Sequence, residues 1–418
     1  KLVNKIINGF YPQDKHSRNT VKKTFINRRF FDFRFKNKKL ENIKITYNRY
    51  MKVIFNTKDL IEKIKNIAPT AEAKQTLMIL GNMIVDVKSG LASFTASDLE
   101  IQVSSSVACE SEEDCEFSLP ARKLLEILNA LSSHNEVIFT ISDTKVDITA
   151  GKSKISLPTL PTADFPYMDT QEDGDTNEIS CEELTNIINK TSFAMAYQDA
   201  RHFLNGLYLC SEEGKIVSVC TDGHRLAKYK SKAPTDDGLS VIIPRKAISE
   251  IKRILNSFSD NKDHIVTYSY NSSIFYIKIN DYHIKSKLIE GNYPNFNKVI
   301  PQNTTAEIIV DKNILKNSLN IISKVVNQQY KGVKLTPQNN SMHLISSNTD
   351  SEIGEDQIDV EYSGEEISIG FNISYLQDVI DTLDGDTVHI CINDQNSGCI
   401  VQDNQDPEST FVIMPMRV

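Results

Sequence analysis

The heptapeptide "TDGHRLA" (221–227) places Asp222, His224 and Arg225 within four positions. A carboxylate beside an imidazole can orient a general base, so hydrolysis is the first chemistry to test against it. A hydrolase also needs a nucleophile and an oxyanion site, or metal ligands at a defined spacing. The chain contains no G-x-S-x-G, H-E-x-x-H or phosphate-loop sequence. Asp-Gly following the apolar run "KIVSVC" signals a turn in which the Asp side chain caps the backbone, and that reading is preferred here. The seven cysteines (109, 115, 181, 210, 220, 391 and 399) form no C-x-x-C pair. They therefore read as reduced thiols of a cytosolic protein, and a structural zinc site is not expected.

The elements that carry these residues repeat. A chain of 418 residues, 40% hydrophobic and 24% charged, has a soluble globular composition and length for two to four domains. It shows no run of eighteen apolar residues and no signal-peptide pattern, so neither a membrane span nor export is expected and the location reads as cytoplasmic. "FSLPARKLLEILNAL" from Phe117, "VIIPRKAISEIKRIL" from Val241 and "IGFNISYLQDVIDTL" from Ile369 superpose without gaps. Each predicts a strand end, a turn and an amphipathic helix, with stripes Leu124/Ile127/Leu131, Ile248/Ile251/Leu255 and Leu376/Val379/Leu383. An earlier helix recurs in each unit, with stripes Leu60/Ile64/Ile67, Leu184/Ile188 and Leu315/Leu319/Ile322. Two independent stripes at nearly one period predict three homologous domains.

Between the helices, alternating runs such as "EVIFTIS", "KVDITA", "SSIFYIKI", "IKSKLI" and "TVHICIN" predict antiparallel strands with one buried face. Each unit is thus α+β, two helices packed on antiparallel sheet. "LPTADFPYM" (160–168) and "LIEGNYPNF" (288–296) repeat a Leu, four residues, an aromatic and Pro, which suits domain exits. The expected division is a leader over 1–50 and domains over 51–174, 175–301 and 302–418. The leader holds fourteen Lys or Arg against three acids, whereas the whole chain carries a net charge of -8, so the body is strongly acidic. The leader lacks an orderly pattern and reads as in-frame upstream sequence with a misassigned start, with a nucleic-acid-binding tail or transit peptide as alternatives.

The three-fold repeat, "PTLPTADFP", "QDARHFLNG", "TDGHRLA", "GFNISYLQDV" and the terminal "MPMRV" together resemble the bacterial β sliding clamp family, the processivity subunits of DNA polymerase III, from Met51 to Val418. The resemblance implies a non-enzymatic, three-domain chain that closes head to tail with a second copy into a ring around duplex DNA. It implies sequence-independent contact with double-stranded DNA, and partners that include the replicative polymerase, the clamp loader, and other polymerases and repair proteins carrying short motifs. An acidic body suits such a ring, because topology holds the duplex where phosphate contacts would resist movement. The helices should line the hole and carry Lys58, Lys63, Lys65, Arg122, Lys123, Arg245, Lys246, Lys252, Arg253, Lys312 and Lys316.

By resemblance Lys74, Gln198, Arg201 and His202 join the DNA-facing set, His202 standing where the family often has an aromatic residue. The ring joint is expected at Lys152, Lys154, Ile155 and Leu157 on the first domain and near Lys324 and Val325 on the third. The acidic stretch 348–359 lies close by, and an ordinary exposed loop is an equal reading of it. For a partner-peptide groove the resemblance indicates Leu204, Thr221, Gly223, His224, Arg225, Leu226, Pro294, Val299, Val412, Met414, Pro415, Met416 and Arg417, with Asn372 and Tyr375 at a second subsite. Lys298 occupies a groove position where the family commonly has Arg. The rival readings are a hydrolase built on Asp222 and His224 and a repeat scaffold that binds peptides without DNA.

Overall fold

The computed structural model of this chain describes residues 50–71, 77–168, 176–258, 264–302 and 304–417. The readings made for the leader up to residue 49 and for Lys74 lie outside the described residues.

Six helices occur among them: α1 (Thr57–Ile67), α2 (Ala121–Ala130), α3 (Cys181–Thr191), α4 (Arg245–Asn256), α5 (Lys312–Ile322) and α6 (Ile373–Thr382). The first helix of each unit starts on a side-chain cap that satisfies otherwise orphaned amides. Asn56 accepts from Lys58 N at 2.9 Å, Ser180 from Glu183 N at 3.1 Å and Asp311 from Ile314 N at 2.9 Å. α2 and α4 instead follow Pro120 and Pro244, whose fixed φ sets the entry. Every residue of the stripes named above is buried.

Each unit contributes eight strands, arranged as two four-stranded antiparallel sheets with orders 5-2-3-4 and 8-7-6-1. The expected strands appear as Glu136–Ile141, Lys145–Ala150, Ile274–Ile279, Tyr282–Lys287 and Thr387–Ile392. The sheets continue through the joints. Strand four of the first unit (Ile101–Ser111) pairs with strand eight of the second (Tyr282–Lys287), Ser104 opposite His283. Strand four of the second (Arg225–Pro234) pairs with strand eight of the third (Ser409–Ile413), Arg225 opposite Ile413. Two members of this scheme have no such partner among the described residues: strand four of the third unit (Ile353–Asp359) and strand eight of the first (Ser153–Pro158).

The acidic stretch is therefore not simply an exposed loop. Ile353–Asp359 alternates its faces and pairs along its length with Ser341–Ser347. Gly354 lets this strand approach the end of α5, where a Cβ would collide with Val325 Cγ2. On the opposite edge Lys152, Ser153, Lys154 and Ser156 are exposed and Ile155 is half-buried. Leu157 is only 6% exposed, its side chain packed in the core of its own unit.

Candidate functional site: a groove over the second joint

The turn that opened the sequence reading is built by its aspartate. Asp222 Oδ1 accepts from His224 N at 2.9 Å and from Arg225 N at 3.0 Å, while Oδ2 pairs with Arg225 Nε at 3.1 Å. Gly223 has φ +88°, a conformation that favours glycine, and a Cβ there would come within 2.8 Å of Arg201 Nη2. Asp222 thus grips the backbone of His224, and its two oxygens have the partners of a capped turn. The Asp222–His224 catalytic pair required by the hydrolase reading is not formed.

The thiols offer no alternative nucleophile, because burial raises the pKa of all seven, Cys115 and Cys210 to about 11 and Cys220 and Cys399 to about 12. Among the described residues no group of His, Cys, Asp and Glu could hold a metal ion. Nor is any helix there long and apolar enough to cross a membrane.

Arg225 ties the second unit to the third. Its Nη1 meets Asp378 on α6 at 2.5 Å, its Nη2 donates to Phe193 O at 2.6 Å, and its guanidinium lies 4.4 Å from the Tyr375 ring centroid. All three of its nitrogens thus have partners, and its guanidinium holds Tyr375 beside the turn. Asn372 accepts from Ser374 N at 2.9 Å and so caps α6.

The groove floor follows from strand periodicity. Ala227 and Tyr229 join the main core, whereas Leu226 turns to the other sheet face and packs with Cys210, Val217, Val219, Phe296 and Val412 in a separate apolar cluster. The linker holds this cluster down, with Tyr293 stacked on Tyr208 at 4.6 Å and Phe296 buried. Beyond strand eight, Met414 N donates to His224 O and Met416 N to Gly370 O, both at 2.8 Å, so the C-terminal segment bridges the two units.

Leu204, Thr221, Leu226 and Val412 are buried, the last two within the floor cluster. Gly223, His224, Pro294, Lys298 and Arg417 are exposed, and Pro415 and Met416 are half-buried. Val299 remains 53% and Met414 39% exposed, an apolar surface left open to solvent. A cavity of about 440 Å³ lies among Lys298, Val299, Met414, Ile300–Gln302, Asn393, Ser397 and Gly398. Lys298, Val299 and Met414 belong to the groove set expected from the sequence, whereas Ile300–Gln302, Asn393, Ser397 and Gly398 do not.

The basic residues expected to face DNA are largely engaged. Lys123 pairs with Glu126 at 2.8 Å, Lys246 pairs with Asp98, and Arg201 pairs with Asp199 at 2.9 Å. Arg122 donates to Ala71 O at 3.3 Å, and Arg245 to Met195 O at 2.8 Å and Ala196 O. Lys63 and Arg253 turn into the first joint, on Asp281 and on Asn66 O respectively, and so depart from the expected hole lining. Gln198, at φ +55°, and His202 sit on the same loop as Arg201, whose Nη2 also donates to Asp222 O at 3.2 Å. The proposed DNA-facing loop therefore touches the groove turn.

Family models for the DNA polymerase III beta subunit match the N-terminal domain at 51–169, the central domain at 178–295 and the C-terminal domain at 297–417. The beta sliding clamp of Vibrio cholerae is 31% identical over 370 residues, covering 88% of this chain and 100% of that protein. That of Pseudomonas aeruginosa is 32% identical over 362 residues, covering 86% and 98%. A Pseudomonas aeruginosa sliding clamp crystallised with a ligand superposes with a TM-score of 0.82 at 32% identity, covering 88% of this chain and all of that one. A sliding clamp from Bartonella birtlesii bound to griselimycin gives 0.85 at 28% identity, with the same coverage. The chain belongs to the DNA polymerase III beta subunit family, the beta sliding clamps.

Proposed function

We propose that this chain is a DNA sliding clamp whose two copies close head to tail around duplex DNA and tether the replicative polymerase through the groove over the second joint. The observation that carries the reading is the strand scheme. Strand four of one unit pairs with strand eight of the next at both internal joints, which leaves one strand of each kind for a second copy. A head-to-tail contact that closes gives a ring. Exposed Lys152 and Lys154 would face Glu355, Asp356 and Asp359, a polarity that disfavours like ends meeting. Lys324 and Val325, beside the free acidic strand, belong to the same joint. The domain boundaries proposed are 51–174, 175–301 and 302–418.

A clamp that slides needs weak phosphate contacts. The pairing of Lys123, Lys246 and Arg201 with carboxylates supports this, because a phosphate must compete with the internal partner. Arg122, Gln198, His202 and Arg245 complete the proposed track, with Lys74 by resemblance alone. The partners are double-stranded DNA of any sequence, the polymerase, the clamp loader and other motif-bearing polymerases and repair proteins, in the cytoplasm. Tethering acts by raising local enzyme concentration and needs no cofactor of the clamp's own.

Retention on circular but not linearised plasmid after loading tests encirclement. Equal loss from both forms would favour a peptide scaffold without DNA. Deleting Met414 to Val418 should abolish binding of polymerase-derived peptide while ring mass persists, and monomers after that deletion would contradict separate surfaces for groove and ring joint.

A further inference from the structure

The tenth residue of the first helix in each unit is Asn66 in α1, Lys190 in α3 and Ile321 in α5. Asn66 is 3% exposed and donates to Ser257 Oγ at 3.0 Å, at the end of α4, and to Tyr282 Oη at 3.1 Å, at the start of strand eight of the second unit. Lys190 is 6% exposed and donates to Thr382 O at 3.1 Å, the last residue of α6, while pairing with Asp384 at 2.8 Å and Asp406 at 2.7 Å. In both internal joints this residue plugs the gap between the second helix and strand eight of the following unit. Ile321 occupies the same position but is 59% exposed. Its own core does not use it, since Leu315, Leu319 and Ile322 fill the buried stripe of α5.

We propose that Ile321 is the plug of the joint between subunits, seating against a second copy of this chain between the end of α2 and the Ser153–Pro158 strand. The inference rests on the ring reading above. The change from a polar to an apolar plug matches the receiving side. Where the third unit presents Asp384 to Lys190 two residues past its second helix, the first unit has the exposed, uncharged Ser132 at the same step. A cation would meet no carboxylate at that step. An alkyl plug also suits a joint that must part, because opening wets apolar surface and strands no buried charge.

The test is sedimentation equilibrium on the full chain with Ile321→Lys, Ile321→Asp, Ile321→Ser and Ile321→Leu. The two charged variants, of opposite sign, should each raise the dimer dissociation constant at least about tenfold, the cost of losing a buried aliphatic side chain. Ile321→Ser should weaken the dimer less, and Ile321→Leu should stay within about threefold of the parent. Circular dichroism should be unchanged throughout, because the side chain is exposed in the single subunit. Parent-like dimerisation of both charged variants, or weakening by one sign only, would overturn the inference while leaving the ring intact. A parent protein that is monomeric at every concentration would instead remove the ring reading itself.

Discussion

The two internal joints share a backbone plan and differ in side-chain chemistry. At the first, strand pairing is flanked by short, internally satisfied contacts: Asn66 with Ser257 and Tyr282, Thr70 Oγ1 on Glu250 at 3.1 Å, and Lys63 on Asp281 at 2.8 Å. At the second, a buried lysine meets two aspartates, Arg225 reaches across to Asp378, and an apolar surface of Val299 and Met414 stays open above the seam. A joint that leaves apolar surface beside a few fixed polar groups can receive a ligand.

The sharpest way to break this contrast is Lys190→Ala. It leaves Asp406, itself only 12% exposed, without its cation, and about 3 kcal/mol of unfolding free energy should be lost in urea titration. A loss no larger than that of Asn66→Ala would show that the charge at the second joint adds nothing. Next, Met414→Asp should weaken binding of a polymerase-derived peptide by about tenfold to a hundredfold in a calorimetric titration, with global stability near parental. Unchanged affinity would move the binding surface elsewhere. Asn66→Ala should cost about 1 to 2 kcal/mol, because Ser257 and Tyr282 lose their donor, and should leave peptide affinity untouched.

The smallest effect concerns pH at the loop beside the groove. Hydrogen bonds from the Arg201 side chain and backbone hold Asp199 down at about 2, below its usual value near 4. A depressed carboxylate stabilises the fold above its unfolded value, and that contribution fades as pH falls through the folded value. The loop contact should therefore persist at neutral pH and weaken between about pH 4 and 2. An NMR titration of Asp199 with an ordinary midpoint would show that the fork to Arg201 is not populated.

Local periodicity made the fold legible. The stripes through Leu60, Leu184 and Leu315 and through Leu124, Ile248 and Leu376 mark all six helices, and alternation marks the strands between them. The acidic strand Ile353–Asp359 was ambiguous because its charges outweigh its single deeply buried Ile358. Of the groove, the turn at 221–227 and the Met-rich end could be placed by resemblance. The far wall of the cavity at Asn393, Ser397 and Gly398 could not, since contact across some ninety residues leaves no periodic trace. Nor could the sequence tell that Lys63 and Arg253 turn inward, because a Lys or Arg on a helix looks alike whether it meets solvent or a neighbouring unit.

The unbroken passage of hydrogen-bonded sheet through both internal seams has a mechanical consequence. Bending the chain at either seam would shear a ladder of cooperative backbone bonds, so its three units should respond to force as one stiff spring. In the ring proposed above, strain imposed by a loading machine would then concentrate where two copies meet, making the hinge a property of assembly and leaving the interior of each chain unbent.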